Sequence, residues 1–354
     1  LNSLNLKEEL KGLARERGLK AAIAAVRPAP RLEALLKGRR QKGAECPFTA
    51  GTPEERARAG NFLPGARSVL AVALPYPAAG GPPWAARFAR GEDYHRVLQA
   101  KITELERLLK AHRPAALSRV AVDTAPVVDR FWARRAGLGW WGKNSSLVSG
   151  EAGSFVCLGE LFTDQELEPD QPLKNRCGHC TRCLEACPTG ALLKPGVINY
   201  RRCLSYWTQA PGLVPREIRP HLTNTIYGCD LCQEACPYNR RVLTPSVPVN
   251  HDDLAGILQL SNRAFQQRYR NFAFTWRGPA VLKRNAIIAL GNSGQPAAAE
   301  LLLPYLNHAN PMLRAHAAAG VLNLGHLEGH EAVRQLSRKE SHPLVLAELN
   351  SART

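Results

Sequence analysis

The sequence predicts a multidomain protein of mixed α/β and all-α character, and three observations carry that expectation. Apolar, β-rich runs alternate with segments of helical period up to about residue 165. Eight of the ten cysteines crowd between about 166 and 245. Beyond a proline-marked linker the chain becomes helical and rich in alanine and leucine. The expected division is therefore 1–165, 166–245 and 246–354, and 354 residues are enough for such cores.

The first stretch, LNSLNLKEELKGLARERGLK, is charged and helical in period, unlike a secretory signal, so cytoplasm is the expected compartment. No apolar run of about 18 residues occurs, and no membrane-spanning helix is expected. SVLAVALPY (68–76), RVAVD (119–123) and GSFVCLGELFT (153–163) read as buried strands. DYHRVLQAKITELERLLKAH (93–112) places Val97, Leu98, Ile102, Leu105, Leu108 and Leu109 on one side of a helix. Strands alternating with helices make an α/β domain.

In VDTAPVVDRFWARRAGLGWWGKNSSLV (122–148), Gly137, Gly139 and Gly142 match G-x-G-x-x-G. A dinucleotide fingerprint needs a strand before the glycines and a helix opening at them. Here a helical segment precedes them, so they are expected to close a helix. Asp123, at a strand end, reads in two ways. It is a turn or helix-capping aspartate, or a general acid whose pKa burial must raise.

The run CGHCTRCLEACPTGAL (177–192) has the spacing C-x2-C-x2-C-x3-C-P. Its first three cysteines suit one [4Fe–4S] cube, and the fourth serves a second cube. CDLCQEACPYN (229–239) is the partner run, one ligand short because Ile226 stands where a fourth cysteine would fall. Two cubes need eight thiolates, and Cys203 between the runs is the natural eighth. The assignment is Cys177, Cys180, Cys183 and Cys236 on one cluster, with Cys187, Cys203, Cys229 and Cys232 on the other. Paired zinc sites are the alternative. Cys157 reads as packed core and Cys46 as incidental.

LKRNAIIALGNSG (282–294) and LRAHAAAGVLNLG (313–325) align at a 31-residue period, Leu282 on Leu313 and Gly294 on Gly325. Such a period marks stacked helical pairs similar to HEAT-like repeats, which are usually binding surfaces. The net charge of +17 and pI near 9.8 suggest an anionic partner, nucleic acid foremost, because released counterions drive such binding. Solubility in an arginine-rich chain is the plainer explanation.

VDTAPVVDR, AGLGWWGKNSSL, GSFVCLGELFTD, the two cysteine runs and CLSYWT (203–208) together resemble the epoxyqueuosine reductase family. RARAGNFLPGARSVLAVALPY (56–76), ARGEDYHRVL (89–98) and the C-terminal repeats agree with it, although RARAGNFLPG follows the family pattern only loosely. The resemblance implies a nitroreductase-like cobalamin-binding α/β domain, a ferredoxin-like domain with two [4Fe–4S] clusters, and HEAT-like repeats. It implies reduction of an epoxide to an alkene on a wobble-position tRNA base, the last step of queuosine synthesis. Clusters would pass electrons to cobalt, Co(I) would attack the epoxide, and Asp123 would supply the proton. Arg56, Lys143, Asn144 and Ser205 are the expected cobalamin contacts. A monomer fed by an external electron donor is expected. The alternatives are a reductive-dehalogenase-like enzyme acting on a small molecule, and a non-enzymatic iron–sulfur electron-transfer or nucleic-acid-binding protein.

Overall fold

The computed structural model describes residues 3–76, 80–223, 225–244 and 248–351. It divides into two compact units. The first comprises Leu1–Ala78, Gly91–Tyr200 and Leu231–Thr244; the second comprises Ala79–Arg90, Arg201–Asp230 and Pro245–Thr354. The division between the units falls within the cysteine-rich segment, at Tyr200/Arg201 and at Asp230/Leu231. Part of the expected linker, 245–247, lies outside the described residues.

The first unit is built on a four-stranded sheet. Its strands are β1 (Lys20–Ala25), β2 (Ser68–Pro75), β3 (Ser118–Ala121) and β4 (Val156–Thr163). The order is β1-β2-β4-β3, and every pairing is antiparallel. β2 is buried from Ser68 to Ala73, as a continuous apolar run demands of an interior strand. β1, KAAIAA, has helical propensity but forms a strand because six residues pair with β2.

The Tyr94–His112 helix buries Leu98, Ile102, Leu105 and Leu109, its expected apolar side. It comes down on β4 at Gly159, where an added Cβ would lie 2.7 Å from Ile102 Cδ1 and 3.2 Å from the Ala121 carbonyl. We expect Gly159→Leu to cost about 1–3 kcal/mol by overpacking, read as a fall in Tm; an unchanged Tm would show that the helix seat is loose. The Asp129–Ala136 helix ends at Gly137, whose φ of +92° makes a left-handed cap. Gly137 thus closes a helix, as expected.

In the second unit, the repeat segments form the matching helices Gly278–Gly291 and Pro311–Asn323. Leu282, Ala286, Leu313 and Ala317 are buried, and Gly294 and Gly325 take equivalent positive φ values of +67° and +66°. No helix among the described residues is long and apolar enough to cross a membrane.

Candidate functional site

β3 ends at Ala121, and the chain turns sharply at Asp123, whose φ is +45°. A non-glycine residue in that region stores strain and is held by its surroundings. The helix downstream starts only at Asp129, so Asp123 does not cap it. Its carboxylate Oδ2 accepts 2.6 Å from the Tyr94 hydroxyl and lies 3.1 Å from His95 Nε2. His95 Nδ1 lies 2.7 Å from Asp93 Oδ1, which fixes the ring between two carboxylates. Both partners sit at the first turn of the Tyr94–His112 helix, with Asp93 as its N-cap.

This cluster corrects the expectation that burial raises the Asp123 pKa. Burial does push it up, but the hydrogen bonds from His95 and Tyr94 outweigh burial and hold the carboxyl below its ordinary value. Burial would lower His95, yet its bonds to Asp123 and Asp93 leave it raised. The two shifts together favour the proton on the imidazole, one hydrogen bond behind the carboxylate. Asp123 is reached by water over 55% of its side chain although protein atoms crowd its other sides.

Behind it lies a second pair that the sequence did not reveal. Glu160 is fully buried in the middle of β4, opposite Ala71 and Ala121, whose small side chains leave it room. No protein donor reaches Glu160 Oε1, Glu160 Oε2 or Asp129 Oδ1. Burial and the neighbouring negative charges disfavour ionising both carboxyls at once. Burial, then the Asp123 charge, pushes Asp129 up to about 6, and burial with the Asp129 charge raises Glu160 well above the usual range. Because the folded pKa of Asp129 is raised, the stability it confers is complete below its unfolded value and is lost as pH rises through about 6. In urea denaturation, Asp129→Asn should lose less stability than the parent between pH 5 and 8, by about 1.4 kcal/mol. Equal losses would mean that the pair carries no proton.

Arg130 extends from the same helix and donates 2.5 Å to the Ser145 carbonyl. It thereby ties the acid site to the 143–146 loop, where two of the expected cofactor contacts lie. Asn144 is buried; its Oδ1 accepts from the Ser146 N–H at 3.2 Å, while its Nδ2 and the Ser145 Oγ have no partner. Ser145 is held at φ +68°. Buried orphan donors on a strained loop suit an amide-rich ligand such as a corrinoid. Lys143 instead donates to the Gly178 carbonyl at 2.8 Å, and Arg56 pairs with Glu45 at 3.2 Å. Ser205 belongs to the second unit, and its carbonyl accepts from the Thr208 hydroxyl at 3.0 Å.

The expected cluster cysteines divide between the two units. Cys177, Cys180, Cys183 and Cys236 all lie in the first unit. Cys183 is raised by burial and then by the charges of Cys236, Cys177 and Cys180. The short helices Arg182–Glu185 and Leu231–Glu234 pack together and bring the two runs into register. Asn239 locks the second run by donating to Ser154 Oγ and the Gln233 carbonyl. Of the other set, Cys187 and Cys232 lie in the first unit and Cys203 and Cys229 in the second. The Cys187 Sγ accepts from the Ala191 N–H at 3.2 Å. In the second unit the Gly228 N–H donates to the Thr208 hydroxyl at 2.9 Å, linking the Cys203 turn to the Cys229 turn. Cys157 is buried in β4, as expected. A cavity of about 440 Å³ in the second unit, lined by Arg216, Arg219, His316 and Glu348 among others, contains none of these groups.

Two cysteine runs of ferredoxin spacing, in a chain that also carries the hydrogen-bonded Asp123–His95 pair, define an iron–sulfur oxidoreductase. A family model described as a 4Fe-4S double cluster binding domain matches residues 176–239, and one described as epoxyqueuosine reductase QueG, DUF1730 matches residues 56–124. The epoxyqueuosine reductase of Bacillus cereus is 35% identical over 349 residues, covering 94% of this chain and 92% of that protein. That of Lactococcus garvieae is 37% identical, covering 83% and 89%. The solved structure of epoxyqueuosine reductase from Streptococcus thermophilus superposes with a TM-score of 0.91 at 34% identity, covering 98% of each chain. A crystal structure of epoxyqueuosine reductase with a tRNA-Tyr epoxyqueuosine-modified tRNA stem loop gives 0.92 at 33%, covering 99% and 98%. The chain belongs to the epoxyqueuosine reductase family.

Proposed function

We propose that the protein reduces epoxyqueuosine to queuosine at the wobble position of tRNA. The reaction consumes two electrons and two protons, converts the epoxide to an alkene and releases water. When bound, the two [4Fe–4S] clusters supply the electrons and a cobalamin supplies the nucleophilic metal centre. Cys177, Cys180, Cys183 and Cys236 hold one cluster; Cys187, Cys203, Cys229 and Cys232 hold the other. Asn144 offers its unpartnered amide to the corrinoid, with Arg56, Lys143 and Ser205 as further contacts.

The observation that carries the reading is the hydrogen-bonded set of Tyr94, His95 and Asp123. An oxygen leaving an opened epoxide is a strong base and needs a proton at the moment of cleavage. His95, whose pKa its bonds to Asp123 and Asp93 raise, passes that proton to Asp123, which relays it to the leaving oxygen. The strained backbone at Asp123 fixes the carboxyl at the strand end.

The finer architecture belongs to the same proposal. The 1–165 region is a nitroreductase-like cobalamin-binding domain, 166–245 a ferredoxin-like double-cluster domain, and 246–354 a HEAT-like repeat. The protein works as a cytoplasmic monomer with an external electron donor. The test is anaerobic incubation of epoxyqueuosine-bearing tRNA with reconstituted protein, cobalamin and a strong reductant, followed by nucleoside mass spectrometry. Loss of one oxygen mass supports the reading. No conversion by a protein holding about eight irons per chain and bound cobalamin overturns this substrate.

A further inference from the structure

Leu254 to Ala299 contains no acidic residue, while Arg263, Arg268, Arg270, Arg277, Lys283 and Arg284 give it six cations. Arg263, Arg268 and Arg270 are exposed. In the same stretch Trp276 keeps 58% of its surface in solvent, whereas Trp84, Trp132 and Trp140 are buried. Its position is nevertheless fixed. The indole Nε1–H donates 2.8 Å to the Tyr227 hydroxyl, and the Arg277 guanidinium lies 3.5 Å over the ring centroid. The Thr275 hydroxyl donates to the Tyr269 carbonyl, so the turn bearing Trp276 is tied to the one bearing Arg268 and Arg270. All of these residues lie in the second unit.

A large ring held rigid while left wet costs solvation and gains little packing; a partner that covers it reverses both terms. Resting on the tRNA reading above, we infer that Trp276 with Arg277 is a stacking platform for an unpaired base of the substrate RNA, with Arg268 and Arg270 on the flanking phosphates. Flat rings beside cations are what single-stranded nucleic acid requires, since every base has a π-face and every linkage a charge. A membrane surface would instead call for an amphipathic helix with an apolar face, and the Asn262–Tyr269 helix exposes polar and cationic side chains. The platform acts in binding and takes no part in the redox step.

The test is fluorescence anisotropy of a labelled anticodon stem-loop titrated with full-length, cluster-loaded protein. Trp276→Ala should weaken binding by about 5- to 100-fold, and Trp276→Phe should restore most of it, because stacking needs only a ring. Trp276→Ala should leave the salt dependence unchanged. Removing Arg268 and Arg270 together should reduce its slope by about one for each phosphate no longer neutralised. Parent-like affinity in Trp276→Ala overturns the platform and leaves the tRNA reading standing. A parent protein that binds the stem-loop no better than an unrelated hairpin overturns the tRNA reading itself.

Discussion

Asp123→Ala is expected to lower conversion of epoxyqueuosine by about 10²- to 10⁴-fold while leaving iron content and RNA affinity intact. The alanine removes the acceptor that Tyr94 and His95 both face, so the proton on the imidazole loses its path to the leaving oxygen. The pH profile separates this role from a merely structural one. Burial lowers His95, but the bonds to its two carboxylates leave it raised, so its proton is present at low pH and lost as pH rises through the raised value. The alkaline limb of the rate profile should therefore report His95. In His95→Gln the side chain still donates a hydrogen bond to Asp123 but cannot carry a proton, so that limb should disappear and the rate fall. A His95→Gln variant with the parent's profile would remove His95 from proton delivery. An Asp123→Ala enzyme with parent-like turnover would remove the acid altogether.

Arg284→Met should destabilise the second unit by about 3–5 kcal/mol and reduce the iron bound per chain. Arg284 is fully buried, and its guanidinium donates to the carbonyls of Trp207, Ala210 and Gly212 at 2.6, 2.6 and 2.9 Å. Burial, followed by repulsion from Arg277 and Arg219, draws its pKa down to about 9. No carboxylate among the described residues pairs with it; three backbone carbonyls and the Asn285 side chain balance the charge. Beside it, Asn285 donates to the carbonyls of Thr208 and Ile226. The two side chains thus hold the segments that carry Cys203 and Cys229. Methionine keeps much of the volume but leaves the carbonyls unpaired. Arg284→Lys should rescue little, because lysine has no planar fork to replace three bonds at once. Urea denaturation and iron assay of both variants would decide it. Iron content equal to the parent in a destabilised Arg284→Met protein would show that this clamp supports the fold and not the cluster.

Arg284 also shows where sequence reading stops. Within LKRNAIIALGNSG it looks like one more cation on a repeat helix, yet its partners come from 72 to 77 residues away. The same holds for Asp129 and Glu160, which look like a surface acid at a helix start and a polar interruption in a strand. Their raised pKa values exist only because the sheet and helix close over both. Tyr94 and His95 stood in a segment read for its helical side alone, and 28 residues separate His95 from Asp123.

What the sequence determined by itself was the chemistry that spacing encodes. Cysteines a few residues apart bind one cube because the local chain can reach its corners. Continuous apolar runs, helical periodicity and the 31-residue repeat likewise act within one element or between adjacent elements, and they predicted strands, helices and matching glycine turns. Only the tertiary structure decided which way the acid site is poised. Whether Asp123 is raised or lowered depends on the balance between burial and two hydrogen bonds from a distant helix. That balance comes from packing β4 against the helix that carries Tyr94 and His95, and no local pattern records it.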